Sequence, residues 1–183
     1  MSPGGDDAAA APPALATPGL MRRMAAFVYE GVLLFGVLFV AGYLYSTLTQ
    51  QRHALQGQTG LQAFVFIVLG LYFVVFWTRG GQTVAMRAWH IRLVTHDGAP
   101  VGRLRAFARY LASWIWFVPA LVAARLAGLH SAFEMLLLIV VGVVVYALLA
   151  LAHPQRQFWH DALCGTRIVD GRARAASRAQ SGQ

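Results

Sequence analysis

The sequence predicts an all-α integral membrane protein with four transmembrane helices, and three observations support this fold class. Hydrophobic residues occupy 58% of the 183 positions and charged residues only 12%, whereas soluble domains average about 45–50% and about 25%. The hydrophobic residues are concentrated in four long stretches, and the basic residues lie between and beside them. This pattern excludes an ordinary soluble domain and a chain that is disordered throughout.

The first element after the N-terminus is a helix that is long enough to cross a bilayer. Residues 1–19 are rich in Ala, Pro and Gly and have no basic region before an apolar core, which predicts a disordered tail and not a signal peptide. The span at 24–46 contains Glu30 as its only charge and would reach ~34 Å, against a hydrocarbon core of ~30 Å. At the other end, residues 172–183 form an Arg-rich polar segment that we also predict to be disordered.

Three further spans follow at about 61–78, 110–127 and 131–152. The second is uncharged, and the fourth is uncharged from residue 135 onward. The third contains Pro119 and ends near Arg125. A proline within a membrane helix is tolerated when neighbouring groups satisfy the freed carbonyl, so we predict a kinked span here.

The distribution of arginine predicts how the chain is oriented. Of the 15 basic residues, all Arg, only Arg52 and Arg125 fall on one side of the predicted spans. The other thirteen lie before the first span, between the second and third, and after the fourth. By the positive-inside rule, both termini and residues 79–109 are cytoplasmic.

The cytoplasmic segment 79–109 contains a strand-like stretch. Residues 89–95 are apolar and β-branched, and Asp97 and Gly98 form a strong turn signal, which predicts a short β-hairpin between helices 2 and 3. The phrase at 92–98 also resembles the phrase at 167–171. A second strand at that later position is one interpretation, and coincidence between two short phrases is the other.

Glu30 is the most informative single residue. A charge near the middle of a bilayer costs ~2.5–3.5 kcal/mol, and each Leu, Ile, Phe or Val offsets ~0.3–0.6 kcal/mol. The first span has eleven such residues, so it can insert, but Glu30 needs a partner or a proton. We interpret it either as an ion-binding group or as part of a structural, hydrogen-bonded network.

Two further charges are candidates for the same site. Arg23 precedes Glu30 by seven residues, which places the two within ~20° of one helix face and ~10 Å apart along the axis. Asp161 follows the fourth span and is expected either to return to the membrane and pair with Arg23 or Arg109, or to remain solvated. Arg23 has the simpler alternative of a positive-inside anchor.

The cysteine and histidine content, the absence of a recognisable nucleophile–base pair and the position of the arginines argue against several other functions. Cys164 is the only cysteine, and His153 and His160 alone do not define a metal site, so we expect no metal and no cofactor. No nucleophile with an adjacent base is recognisable, so we expect no enzyme. The net charge of +8 comes from Arg beside apolar segments, which points to lipid headgroups and away from nucleic acid.

Three motifs together resemble the RDD family of membrane proteins, over roughly residues 18–170. The first is Arg23 with an acid seven residues later. The second is Gly81-Gln-Thr83 with the following Arg92, Asp97-Gly98 and Arg109. The third is His160-Asp161 followed by Gly165-Thr166. Two positions depart from the family pattern: Glu30 stands where the family has Asp, and Ala85-Met86 stand where it usually has Gly-Lys, a Lys that Arg87 replaces only in part.

The resemblance implies an RDD-like transmembrane domain over residues 20–171, in the cytoplasmic (inner) membrane of a bacterium. One hypothesis is transport of a small ion or ligand through a polar site at Arg23, Glu30 and Asp161. The alternative is a structural or accessory protein, in which these charges form a network and the cytoplasmic segment binds a partner. The supporting motif residues are Thr83, Asp97, Gly98, Arg109, His160, Gly165 and Thr166. We expect the lipid bilayer and a second copy, or another membrane protein, as partners.

Overall fold

A computed structural model describes residues 16–49, 58–129, 131–154 and 156–172 of the chain. The predicted tails fall largely outside these ranges, at 1–15 and 173–183. The helices are α1 Leu20–Leu48, α2 Gln58–Arg79, α3 Val84–Ala88, α4 Arg103–Ser113, α5 Val118–Leu126, α6 Ala132–Ala152 and α7 Trp159–Leu163. The strands are β1 Ile91–Thr95 and β2 Thr166–Asp170.

Four helical runs in the described part of the chain are long and apolar enough to cross a membrane. They are α1, α2 from Thr59, the run Arg103–Leu126, and α6. Helix α1 begins four residues before the predicted span, because a helix continues through Arg and other good helix formers into the interfacial region where the apolar stretch has not yet begun.

The third run differs from the predicted span in its start and in its shape. It begins at Arg103 and is interrupted by a 3₁₀ turn at Trp114–Trp116 before α5 starts. The cause is Pro119, which has no N–H and would clash with the carbonyl four residues earlier in a continuous helix. The chain therefore restarts a helix with Pro119 in its first turn, where no intrahelical N–H is required.

The two-stranded sheet is antiparallel and joins distant parts of the chain. Strand β1 pairs with β2, in a register that places Leu93 opposite Ile168. The expected hairpin within 79–109 is therefore wrong in its pairing: this segment supplies one strand, and its partner follows the fourth span. The repeated phrase was the relevant signal, because two similar alternating apolar strands can bury one face together.

The residues just before α1 contact this sheet. The backbone N–H of Asp170 donates to the carbonyl of Ala16 at 2.9 Å, and Gln157 donates to the Thr17 hydroxyl at 2.9 Å. Ala16 and Thr17, which the predicted tail includes, thus contact the sheet and the segment before α7. Arg22 closes the same corner with a two-nitrogen bridge to the Asp170 carboxylate at 2.6 and 2.9 Å.

The buried core sits at the end of the helical bundle where the sheet, α3 and α7 pack. Leu93, Val94 and Ala106 are almost completely buried there. In contrast, the spanning helices expose large apolar side chains such as Phe35 and Phe39. Those outer faces suit lipid tails, so the polar side chains turn inward and toward the sheet end.

Candidate functional site

One face of α1 carries the first two candidate residues into the interior. Arg23, Ala26 and Glu30 are buried, although α1 as a whole exposes most of its surface. Their spacing of three, four and seven residues is that of a single helical stripe. The small side chain of Ala26 leaves room between the two charged ones.

Two hydroxyl groups hold Glu30, and no cationic side chain among the described residues forms an ion pair with it. The Tyr72 hydroxyl donates to Glu30 Oε1 at 2.6 Å, and the Thr83 hydroxyl donates to Glu30 Oε2. Thr83 is also the N-cap of α3, where its Oγ1 accepts from the Met86 N–H at 3.2 Å. The Glu30 carboxylate therefore links α1, α2 and the start of α3, and each of its oxygens retains acceptor capacity.

Asp161 pairs with Arg109, one of the alternatives that the sequence left open. Arg109 Nε lies 2.6 Å from Asp161 Oδ1, and both side chains are buried. The Arg109 guanidinium also stacks over the Trp77 ring at 4.2 Å, and Thr166 donates to the Asp161 carbonyl at 3.2 Å. This pair joins α4 to α7 and leaves Asp161 Oδ2 without a protein hydrogen-bond partner.

His160 is buried beside this pair and is neutral. Burial lowers its pKa to about 4 and outweighs the nearby Asp161 charge, which raises the pKa; the Arg109 charge lowers it by a smaller amount. The Tyr146 hydroxyl accepts from the His160 backbone N–H and lies 3.0 Å from Nδ1. A hydroxyl that accepts one bond and donates the other leaves the ring proton on Nε2, which faces Asp161 Oδ1 at 3.4 Å.

Arg23 is the least satisfied charge in the site. Its guanidinium lies over the Phe158 ring at 4.6 Å, but its Nε and Nη1 atoms are buried without a hydrogen-bond partner. Asp161 acts on it electrostatically without contacting it. Arg23 is therefore more than a surface anchor, because an anchor would keep its guanidinium in water.

A cavity of about 350 Å³ lies between α1, α2, α4 and the sheet end. Arg23 and Glu30 both line it, together with Thr83, Arg109 and His160. Most of the remaining wall is aromatic or aliphatic. Asp161 is not among the residues of the wall, so of the three predicted site residues two face the cavity and the third acts on it through Arg109 and His160.

Three of the other supporting residues lie in turns of the chain. Asp97 and Gly98 form the exposed turn after β1, where Gly98 has a positive φ of 84°. A hydrogen bond from the Thr95 hydroxyl is the largest of the effects that lower the pKa of Asp97. Gly165, with φ of 60°, turns the chain from α7 into β2. These residues shape the sheet and do not line the cavity.

Three residues of the site were missed from the sequence. Tyr72 binds Glu30, Trp77 stacks on Arg109, and Tyr146 binds His160. One signal was present: Tyr146 is the only side chain with a hydroxyl in the apolar stretch from 135 to 152. A buried Tyr generally finds a partner for its hydroxyl, so its position inside a span indicates a polar contact.

The family of the chain follows from a comparison with known families. The family model for the RDD family matches residues 17–165. The chain belongs to the RDD family. No curated protein and no solved structure matches it. Its four apolar helices and its family are those of a multi-pass membrane protein.

Within this RDD domain, one departure from the family pattern lies on the cavity wall. Met86, named above as a departure from the pattern of the family, is buried and lines the cavity. A thioether carries no charge, so Met86 adds no cation to this wall. Arg87, the next residue, is exposed and is absent from the wall.

Proposed function

We propose that this RDD protein exchanges a monovalent cation for protons across the cytoplasmic membrane of a bacterium, with Glu30 as the exchange group. The observation that carries the proposal is the surroundings of Glu30: a buried carboxylate on the wall of a cavity, held by two hydroxyls. An acid within a membrane span is most often retained for a function of this kind.

The Glu30 carboxylate can bind either a cation or a proton. Glu30, Tyr72 and Thr83 offer oxygen atoms only, and alkali cations prefer hard oxygen ligands. A carboxylate that binds a cation must be deprotonated, so the cation and the proton compete for Glu30. Competition for one group is the physical basis of exchange.

In this proposal, the other polar residues of the site hold the surrounding helices in place. The Arg109–Asp161 pair fixes α4 against α7, and the neutral His160 fixes Tyr146. Four spans enclose only a narrow path, so the proposal includes a second copy of the chain in the working assembly. Both termini face the cytoplasm in this proposal, as the arginine distribution indicates.

The alternative function is a structural or accessory role, and one observation favours it. Arg22 bridges Asp170 and also donates to the carbonyls of Trp89 and His90, at 2.8 and 2.7 Å. Arg22 therefore fixes the sheet to the start of α1. In this second proposal the charges hold the sheet in place as a contact surface for a partner protein.

The deciding experiment follows lumenal pH with a dye in proteoliposomes while Na⁺, Li⁺ or K⁺ is added outside. The parent protein should produce a cation-driven pH change. Glu30→Gln should slow it at least tenfold, because an amide neither takes a proton nor carries a charge. Glu134→Gln is the matched control, since Glu134 is exposed at the start of α6.

Glu30→Asp separates the two proposals further. It keeps the charge but shortens the reach, so exchange should persist at a reduced rate. No flux in the parent, combined with a lower melting temperature in Glu30→Gln, would favour the accessory role and contradict exchange. Size-exclusion profiles establish that each variant is the same folded species.

A further inference from the structure

The end of the cavity at Arg23 contains hydrogen-bond donors that have no role in the proposed cation exchange. Arg23 is 3% exposed, and two of its nitrogens have no partner. Trp77 lines the same cavity, is 4% exposed, and its indole Nε1 also lacks a partner. Two buried side chains on one wall thus hold hydrogen-bond donors that no acceptor in the described part of the chain satisfies.

Unused donors of this kind are costly to bury. An unsatisfied buried polar group costs ~1–3 kcal/mol, and a charged one costs more. The nearby acids do not relieve it: Glu30 receives two hydroxyls, and Asp161 is paired with Arg109. Arg23 is therefore the one cation on the described part of the wall that lacks a hydrogen-bonded acid.

The rest of the wall favours an apolar body. Phe27, Phe73, Trp116 and Phe158 line the cavity around Arg23. Their faces accept hydrocarbon and leave few polar groups for a fully hydrated ion. The volume of about 350 Å³ is at the small end of ligand pockets, which range over ~300–1,000 Å³. A small head with a short apolar chain matches this size.

We propose that this end of the cavity binds the oxyanion group, phosphate or carboxylate, of an amphipathic anion. Arg23 donates to the oxygens of this group from a buried nitrogen without a partner, Nε or Nη1, and its positive charge strengthens the hydrogen bond. Trp77 Nε1 is the further donor, and the chain of the ligand lies along the aromatic wall. The proposal rests on Arg23 and Trp77 and not on Glu30, which lines the same cavity, so it stands whether or not the protein exchanges cations.

Binding is tested by titrating octyl phosphate into purified full-length protein in phosphatidylcholine nanodiscs and recording tryptophan fluorescence. Trp77, Trp114 and Trp116 all line the cavity, so occupancy alters their emission. Octanol is the neutral control with the same chain. We expect saturable quenching by octyl phosphate and at least tenfold weaker binding of octanol.

The variants assign the binding to Arg23. Arg23→Gln should weaken octyl phosphate binding about 10- to 100-fold, the usual effect of losing hydrogen bonds from a charged donor. Arg79→Gln is the matched control, because Arg79 is exposed at the end of α2 and does not line the cavity. Trp77→Phe keeps an aromatic side chain but removes the Nε1–H donor, so it should weaken binding severalfold.

Two further arms identify the source of the anion. Competition by phosphatidylglycerol in the nanodisc assigns the site to a lipid headgroup, and competition by inorganic phosphate assigns it to a soluble anion. Equal binding of octyl phosphate and octanol would overturn the proposal. So would equal affinities of the parent and a folded Arg23→Gln variant.

Discussion

Each buried charge in this RDD protein is compensated in a different way. Glu30 accepts hydrogen bonds from two hydroxyls, and Asp161 forms an ion pair with the Arg109 guanidinium. Arg23 makes a cation–π contact with the Phe158 ring. Of these three arrangements, only the Arg109–Asp161 contact is a direct ion pair. The energetic consequences of substitution should therefore differ among the three.

The Arg109–Asp161 pair gives a prediction at this scale. Arg109→Met should lower the free energy of unfolding by about 3–5 kcal/mol, because it leaves the Asp161 carboxylate buried without compensation. The double variant Arg109→Met/Asp161→Asn should regain at least half of that loss. Reversible unfolding in detergent measures these free energies, together with that of Asp161→Asn. A double variant whose loss of stability equals the sum of the losses of the two single variants would show that Arg109 and Asp161 do not interact.

His160 gives a pH dependence. Its pKa is about 4 in the folded protein and ~6.5 in an unfolded chain. The unfolded state therefore binds more protons between these values, so the stability that neutral His160 contributes is complete above pH ~6.5 and is lost as pH falls toward about 4. The difference in stability between the parent and His160→Gln should shrink over that interval, and a constant difference would contradict it.

The sequence predicted that Arg23 and Glu30 share a helix face, but it did not predict which side chains contact Glu30. A helical period of 3.6 residues suffices to place Arg23 and Glu30 on one face. It cannot place Tyr72 against Glu30, because that contact depends on how α1 and α2 pack. Asp161 was predicted to pair with Arg23 or Arg109 or to remain solvated, and only the packing of α7 against α4 selects Arg109.

At the scale of elements, the sheet depends on the turn between α2 and α3. Gly81 has a positive φ of 68°, and its carbonyl accepts from the Leu93 N–H at 2.7 Å. A Cβ at this position would collide with the Leu93 carbonyl oxygen. The turn thus fixes β1 against the end of α2 and brings Thr83 to Glu30.

Gly81→Ala tests this dependence. The substitution should lower the free energy of unfolding by more than ~1 kcal/mol, since both the backbone conformation and the space are unfavourable. Gly80→Ala is the control, because Gly80 has open space around its Cα. Thermal unfolding of the two variants measures the difference, and equal melting temperatures would refute the role of the turn.

The elements were partly predictable for a related reason. Four apolar stretches of 18 or more residues can hardly be anything but spans, and all four are present as helices. The partner of β1 lies over 70 residues away in sequence, and a local turn signal favoured a hairpin instead. Long-range pairing is specified by packing of both strands, which a single short stretch does not reveal.

For the whole molecule, the arginine asymmetry predicts that both termini are cytoplasmic. A green fluorescent protein fused to the C-terminus should fluoresce, and alkaline phosphatase fused there should be inactive, because the first folds only in the cytoplasm and the second only outside it. The same reporters after residue 52, between the first two spans, should give the reverse pattern. Phosphatase activity at the C-terminus would contradict the orientation.

Competition between a cation and a proton at Glu30 is the central claim, and calorimetric titration of Na⁺ into the purified protein at a series of pH values tests it most directly. The affinity for Na⁺ should fall as the pH is lowered, by up to about tenfold per pH unit, because protons compete with Na⁺ for Glu30. Glu30→Gln should abolish binding, and Glu134→Gln should leave it unchanged. Sodium binding that is independent of pH, or that survives in Glu30→Gln, would contradict the claim.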